Sequence, residues 1–354
     1  MNIHGKKTAL VLGGNGFIGH HMARRLREEG YWVRVVDIKD YEYGYSTHAD
    51  EIVIADLRTE QVVKAVIRNQ YSGYSFLPHP YEIDHQFDEI YQFAADMGGA
   101  GFVFTGEHDA EIIHNSAIIN LHLLNALMEH GFKGKVFYSS SACIYPQEYQ
   151  TGVKDASGKY WYGGLAEKDA YPANPDSEYG WEKLFSERLY LAYHKNYGLD
   201  IRIARFHNIY GPEGTYTGGR EKAPAALCRK VIELLHATTS DDHNLLEIWG
   251  DGEQTRSFLY IDDCIDAVRA LMESDFRRPI NIGSEEMVTI NELADLAISF
   301  TGKSIFKRHI EGPQGVRARN SDNTLIMKVL GWEPRCFLAE GLRNTFNWIK
   351  TRYQ

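Results

Sequence analysis

The sequence predicts an α/β protein: a doubly wound parallel sheet with a smaller α+β lobe interleaved at its C-terminal side. Three observations predict it. Short apolar runs alternate with amphipathic stretches of helical period through the first 206 residues. The first run enters the glycine series Gly13, Gly16 and Gly19 and leaves it as a helix. Beyond residue 206 the alternation becomes irregular, as in a lobe built around a sheet domain rather than within it.

The elements follow in order. A strand at 8–12 runs into the glycines, a helix follows through Met22, Leu26 and Glu29, and a second strand at 32–37 ends on Asp37. Further strands are predicted at 51–55, 89–95, 135–139 and 201–206, with helices between several of them, notably 110–129 and 177–196. This succession is Rossmann-like. Later helices are predicted near 223–236, 262–273, 290–300, 323–330 and 338–350, interrupted by strands around 246–249, 257–260 and 279–282. The resulting division is a dinucleotide-binding domain of 1–206 with about 244–275, and a substrate lobe of about 207–243 and 276–354. The Tyr-, His- and Pro-rich segment 71–86 has no helical period and reads as a surface excursion.

Composition excludes several classes. With 354 residues, 44% apolar and 24% charged, the chain is long and apolar enough for a substantial core and is not a disordered protein. A net charge of −10 argues against nucleic acid as a partner. No apolar run approaches the ~20 residues of a membrane-spanning helix, and the run at 8–12 stops at Gly13 without a signal-peptide cleavage region. Four cysteines without a CxxC suggest neither a disulfide framework nor a zinc ribbon, so no metal is expected and the expected location is the cytoplasm.

The glycine loop is the candidate cofactor site. Gly13, Gly16 and Gly19, with Phe17 and Ile18 between the last two, would let the backbone approach a pyrophosphate at the helix N-terminus. Asp37 would bond the adenosine ribose hydroxyls and repel a 2′-phosphate, which selects NAD over NADP. Asp56 and Leu57 follow the third strand toward the adenine, and the small Ala94 and Ala95 follow the fourth. Tyr179 and Lys183 form a YxxxK on one helical face, where a nearby ammonium favours the phenolate. Such a tyrosine can take a hydroxyl proton while NAD is reduced. Ser141, at a strand's carboxyl end, would bond the same hydroxyl. Cys143, two residues on, and Lys222, at the mouth of a helix, are candidate acid/base groups. His207 reads as a packed, hydrogen-bonded histidine.

Together the glycine loop and YxxxK resemble the extended short-chain dehydrogenase/reductase superfamily. The phrases ADMGGAGF (95–102), SSACIYP (140–146), YGWEK (179–183), RFHNIYGP (205–212), GGREKAPAA (218–226), WGDGEQTRSF (249–258), NIGSEEMV (281–288) and GVRARNSDN (315–323) resemble its GDP-mannose 3,5-epimerase family. That resemblance implies an NAD-bound homodimer acting on a GDP-sugar. It would oxidise GDP-mannose at C4, invert C5 and C3, and reduce C4 again, giving GDP-L-galactose or GDP-L-gulose. Tyr179 and Lys183 fall on the family's redox pair, and Cys143 and Lys222 on its acid/base pair, with the assignment of base and acid left open. Gly98, Ser141, Ala142, Cys143, Asn208, Glu221, Lys222 and Ala223 would line the sugar. Lys230, Gln254, Thr255, Arg256 and Arg317 would surround the nucleotide and pyrophosphate, with Ser321 a further substrate contact. Ala142 and Cys143 stand where dehydratase relatives carry an Asp-Glu pair, which speaks against 4,6-dehydration. The alternatives are an epimerase of a related GDP-hexose or GDP-heptose, a 4-epimerase, a 4-dehydrogenase, and a non-enzymatic NAD-bound sensor or scaffold.

Overall fold

A computed structural model of the chain describes residues 5–43, 48–68, 86–154, 156, 160–161, 164–236 and 244–353. The excursion expected at 71–86 lies, apart from Gln86, outside the described residues. The first half runs β1 (Thr8–Leu12), α1 (Phe17–Glu28), β2 (Trp32–Asp37), β3 (Glu51–Ile54), α2 (Glu60–Ile67), β4 (Glu89–Gln92), α3 (Ala100–Val103), α4 (Asp109–Glu129) and β5 (Lys135–Ser141). A short hairpin, β6 (Val153–Lys154) with β7 (Tyr160–Trp161), precedes α5 (Glu178–Tyr197) and β8 (Asp200–Phe206). The second half adds β9 (Ile209–Tyr210), α6 (Ala223–His236), β10 (Leu245–Trp249), β11 (Thr255–Ser257), β12 (Leu259–Tyr260), α7 (Ile261–Glu273) and β13 (Ile280–Ile282). It closes with β14 (Met287–Thr289), α8 (Ile290–Ser299), β15 (Phe306–Ile310), β16 (Ala318–Arg319), α9 (Thr324–Leu330) and α10 (Leu338–Lys350).

Seven strands form the central sheet in the order β13-β8-β5-β4-β1-β2-β3, and all its pairings are parallel. A parallel sheet must be covered on both faces, and β1 shows how. Its alternate residues divide between two cores: Ala9 and Val11 join Met22, Leu26, Val33 and Val35, whereas Leu10 and Leu12 join Leu123, Leu124, Leu127 and Tyr190. Helix α1 therefore covers one face, and α4 and α5 cover the other.

Two boundaries differ from the sequence division. Strand β13, expected in the substrate lobe, is the edge strand of the central sheet, paired with β8 from Ile280↔Ala204 to Ile282↔Phe206. Strand β10, expected in the dinucleotide domain, pairs instead with β15 in a separate two-stranded sheet. Sequence reading missed β15 because FKRHI is mostly exposed and lacks apolar alternation; pairing, not burial, makes it a strand. The run expected at 257–260 is two strands: β11 pairs with β14 and β16, and β12 pairs with β9. The chain switches sheets at Phe258.

Candidate active site

The glycine loop is a cradle that only glycines allow. Gly13 has φ 74°, and a Cβ there would sit 2.6 Å from the Ala94 nitrogen. A Cβ on Gly19 would lie 2.2 Å from the Gly13 carbonyl oxygen. Gly16 caps α1 without a side-chain bond, and the first turn holds no acidic residue, so its N–H groups suit an anion. Phe17 and Ile18 are half-buried at this opening. At the end of β2, Asp37 is 7% exposed and accepts from the Asn15 (3.0 Å) and Lys39 (3.2 Å) backbone N–H groups. Burial pushes its carboxyl up, and these N–H groups oppose that. The buried Asn15 Oδ1 lacks a hydrogen-bond partner. This donor and acceptor set fits the ribose and pyrophosphate of a dinucleotide. Ala94 backs the loop with its N–H on Gln92 Oε1 (3.1 Å), Ala95 follows half-buried, and Leu57 is buried. Asp56 is engaged by Arg58, through Nε at 2.9 Å and Nη2 at 2.7 Å.

The second group of residues sits where α5 meets the end of β5. Ser177 caps α5 by accepting from Gly180 N–H (3.2 Å), placing Tyr179 and Lys183 one turn apart. A Cβ on Gly180 would lie 2.2 Å from the Cys143 carbonyl oxygen, so the helix rests directly on the cysteine turn. Lys183 Nζ donates to the Ser139 carbonyl (2.9 Å) and lies 5.7 Å from the Tyr179 ring centroid. Ser141 Oγ accepts from Cys143 N–H (3.2 Å) and thereby shapes the turn. The expected pull of Lys183 toward a phenolate is overridden. Burial holds the Tyr179 phenol well above its ordinary range, with Cys143 and Glu182 acting in the same direction. Burial also pushes the Lys183 ammonium down. The pair is geometrically formed, but burial of the phenol dominates.

Cys143 carries a contact that sequence reading missed. Arg319 Nη1 donates to its Sγ at 3.1 Å, while Nη2 donates to Asp176 Oδ2 at 2.6 Å and Nε bonds Gln150. Arg319 sits on β16, two residues beyond Arg317, in the phrase already singled out; side-chain alternation along the strand was the available signal. Lys222 stands just before α6, its carbonyl accepting from Ala226 N–H (2.9 Å) and its ammonium without a hydrogen bond or ion pair among the described residues. Burial lowers its ammonium, and Cys143 is the largest influence opposing this. Desolvation, rather than the helix terminus, dominates at Lys222.

The remaining residues sort by what they touch. Gly98 and Gly99 have no room for a side chain: Cβ atoms there would lie 2.7 Å from Phe102 Cβ and 2.3 Å from the Glu221 carbonyl oxygen. Glu221 accepts from Arg229 (3.3 Å) through Oε1 and leaves Oε2 buried without a partner; Ala223 opens α6 beside it. Gln254 Oε1 and Thr255 Oγ1 are likewise buried and unpartnered. Lys230 donates to the Glu247 carbonyl (3.0 Å) below the Trp249 ring. Asn208, at φ 45°, ties its loop to the Ser257 carbonyl (2.9 Å). Arg256 is spent on the Thr255 (2.7 Å) and Val316 (2.6 Å) carbonyls, and burial pushes it down to about 9. A cleft of about 440 Å³ is lined by Phe104, Gln150, Asp176 and Arg317, among others. Three of the expected substrate residues have partners within the protein. Arg317 is paired with Asp251 by two bonds of 2.8 Å at the cleft. Ser321 is 1% exposed and donates to Asn323 Oδ1 (2.7 Å), a packing role set by its place under Gly283. The Ala142 side chain packs with Ile144, Tyr145 and Leu165, leaving its backbone for the cleft. His207 is buried with Nε2 3.1 Å from Asn281 Oδ1, as expected.

Sheet order, glycine cradle and the Tyr179–Lys183 pair define a dinucleotide-binding short-chain dehydrogenase/reductase-type enzyme. The chain belongs to the NAD dependent epimerase/dehydratase family, whose model matches residues 9–283. It is 44% identical to GDP-mannose 3,5-epimerase of Arabidopsis thaliana over 97% of this chain and 82% of that protein. It is 43% identical to GDP-mannose 3,5-epimerase 1 of Oryza sativa subsp. indica, with the same shares covered. UDP-glucose 4-epimerase of Thermotoga maritima, solved with UDP-glucose, superposes with a TM-score of 0.78 at 26% identity, covering 98% of this chain and 100% of that one. The fold is shared also with UDP-glucuronic acid 4-epimerase of Bacillus cereus, solved with UDP-glucuronic acid and NAD (TM-score 0.75, 24% identity, 98% and 100% covered).

Proposed function

We propose that the chain is a GDP-mannose 3,5-epimerase that uses NAD without net consumption, taking GDP-mannose to GDP-L-galactose or GDP-L-gulose. The observation that supports this is Cys143 packed against Tyr179, with a second buried titratable group, Lys222, within electrostatic reach of the thiol, because inversion needs two proton-handling groups in addition to a redox pair. Bound NAD supplies the electron acceptor for C4 of the sugar and returns the electrons at the end. Gly13, Gly16 and Gly19 would hold its pyrophosphate, and Asp37 its adenosine ribose. Tyr179 takes and returns the C4 hydroxyl proton, Ser141 bonds that oxygen, and Lys183 supplies positive charge. A ketone at C4 acidifies the hydrogens on C3 and C5. One of Cys143 and Lys222 removes such a proton and the other delivers one to the opposite face. Arg319 fixes the sulfur in place and stands a permanent charge beside it. Glu221, Gln254 and Thr255 bring unpartnered buried acceptors that a sugar or base can satisfy.

The reading includes a cytoplasmic homodimer. The dimer part is supported by apolar surface on the packed helices α4 and α5: Trp181 and Phe185 on α5, and Ile113 and Leu121 on α4, are exposed. Light scattering on the eluting protein tests it; a monomer at micromolar concentration removes that part. The function itself is tested by incubation with GDP-mannose in deuterated water and NMR of the products. Deuterium at C3 and C5 of an inverted sugar is the expected result. Turnover confined to C4, without deuterium, would establish a 4-epimerase instead.

A further inference from the structure

We propose that Glu213 is a positioning residue for the cofactor: its carboxylate clasps the segment that follows Asp37, and the loop between β9 and α6, to helix α1, and so slows the release of NAD. The proposal rests on the reading that NAD is reduced and reoxidised within one cycle, since a cofactor lost in its reduced form would leave the sugar as a ketone. Nothing in the reaction above uses Glu213, and sequence reading did not single it out. It stands between Pro212 and Gly214, just beyond β9, with φ 62°, in the left-handed region that a side chain disfavours. A glutamate held there is kept by what its side chain meets.

The carboxylate meets three side chains. Its Oε2 lies 2.8 Å from His20 Nε2 and accepts from the Tyr41 hydroxyl (2.9 Å), and its Oε1 accepts from Arg24 Nη1 (3.3 Å). His20 is buried, and its ring stacks on that of Tyr41 with centroids 3.9 Å apart. The bond to His20 holds Glu213 well below the usual carboxylate range, so these are bonds to a charged group. Two further bonds run beside them. Tyr43 donates to the Gly214 carbonyl (3.0 Å), and His21 Nε2 lies 3.1 Å from the Pro212 carbonyl oxygen.

Each segment so joined borders the cofactor site. Helix α1 offers the N–H groups of its first turn to the pyrophosphate. Residues 38–43 continue from Asp37, and Asn15 of the glycine loop donates to the Lys39 carbonyl (2.7 Å). The loop after β9 reaches the start of α1, where a Cβ on Gly214 would lie 3.4 Å from the Phe17 ring. The same loop is tied onward to α6: Arg229 donates to the Tyr216 carbonyl (2.8 Å) and to Glu221 (3.3 Å), the neighbour of Lys222. Moving residues 38–43 away from the loop breaks the bonds of both Tyr41 and Tyr43. A cofactor held by Asp37 and the glycine cradle is therefore released more slowly while Glu213 keeps its partners.

The test is the rate of NAD release. Protein loaded with radiolabelled NAD is chased with excess unlabelled NAD, and the label retained is followed by rapid desalting. No sugar enters the assay, so its outcome is separate from that of the epimerase reading. Glu213→Gln keeps the length of the side chain and removes its charge, and release is expected to be about tenfold faster or more. Tyr41→Phe keeps the ring on His20 and removes one bond, and release is expected to be about threefold faster. The double variant is expected to release no faster than Glu213→Gln alone, because the hydroxyl acts through the carboxylate. Residues that only stabilise their own segments would give effects that multiply. If Glu213→Gln does not fold, Tyr41→Phe with Tyr43→Phe, which keeps both rings and removes both bonds to the loop, is expected to speed release about tenfold. Unchanged release in whichever of these variants folds, single effects that multiply in the double variant, or loss of the label from the wild-type protein within the desalting step overturns the proposal.

Discussion

In the proposed reaction the sulfur of Cys143 decides whether the site inverts a carbon or only oxidises one. Cys143→Ala is expected to leave formation of reduced cofactor on mixing with GDP-mannose, because the proposed oxidation at C4 uses Tyr179 and Lys183 and not the thiol. Deuterium incorporation at C3 and C5 is expected to fall by about 10²–10⁴-fold, the usual weight of a general acid or base. Normal incorporation in that variant would make the cysteine packing only. Arg319 allows a sharper comparison. Replacing it by Met leaves Asp176, buried and bonded at 2.6 Å, without its cation. A loss of about 3–5 kcal/mol in unfolding free energy is expected, measured by denaturant titration. Arg319 with Asp176 replaced together, as Met and Asn, is expected to recover much of that stability but not the turnover. Recovery of both would show that the guanidinium matters for folding alone.

At the scale of elements, the site is made where α5 touches the turn after β5 and where β4 passes under the glycine loop. Neither contact tolerates a methyl group. Gly180→Ala would put a carbon 2.2 Å from the Cys143 carbonyl oxygen and drive the helix from the turn. A stability loss of about 1–3 kcal/mol is expected, with a larger fractional loss of epimerisation, because Tyr179 and Cys143 move apart. Thermal melting set beside the deuterium assay checks the split. Gly13→Ala combines a φ of 74° with a 2.6 Å approach to Ala94. NAD affinity, measured by calorimetry, is expected to fall at least tenfold while the melting curve stays cooperative. A variant that binds NAD normally would place the pyrophosphate elsewhere.

For the whole molecule, buried histidines set a pH dependence of stability. Burial pushes His207 down to about 3 and His21 to about 4, from an ordinary value near 6.5. The folded protein therefore binds fewer protons than the unfolded chain below about pH 6.5. Stability is fully present above that value and is lost as pH falls toward about 4, at about 1.4 kcal/mol per pH unit for each histidine. Urea midpoints between pH 7.5 and 4.5 check this, and His207→Gln, which keeps one bond to Asn281, is expected to flatten the slope by about half. An unchanged slope would place the linkage on other groups. His207 was legible as a packed residue from sequence, but its partner lies 74 positions away on the edge strand β13 and was not.

What the sequence determined by itself was everything written in short-range order. Glycine spacing at 13, 16 and 19 makes the loop, because close backbone approach has a local chemical requirement. Apolar runs without alternation mark strands buried on both faces, and β1, β2 and α5 appeared within one residue of their expected bounds. The YxxxK spacing placed Tyr179 and Lys183 on one helical face, and the SAC turn followed its strand. Tertiary structure alone decided which charges meet. Arg317 turned to Asp251, Arg319 to Cys143, and Glu182 to Asn120, since partners more than 60 residues apart in the chain leave no periodic trace. Strand β13 joined the central sheet, and β15 formed at all, for the same reason: pairing is a long-range choice. The direction of the Tyr179 shift was also tertiary, because burial, which no neighbouring residue type specifies, dominates over the adjacent ammonium; at Lys222 burial acts in the same direction as the helix terminus.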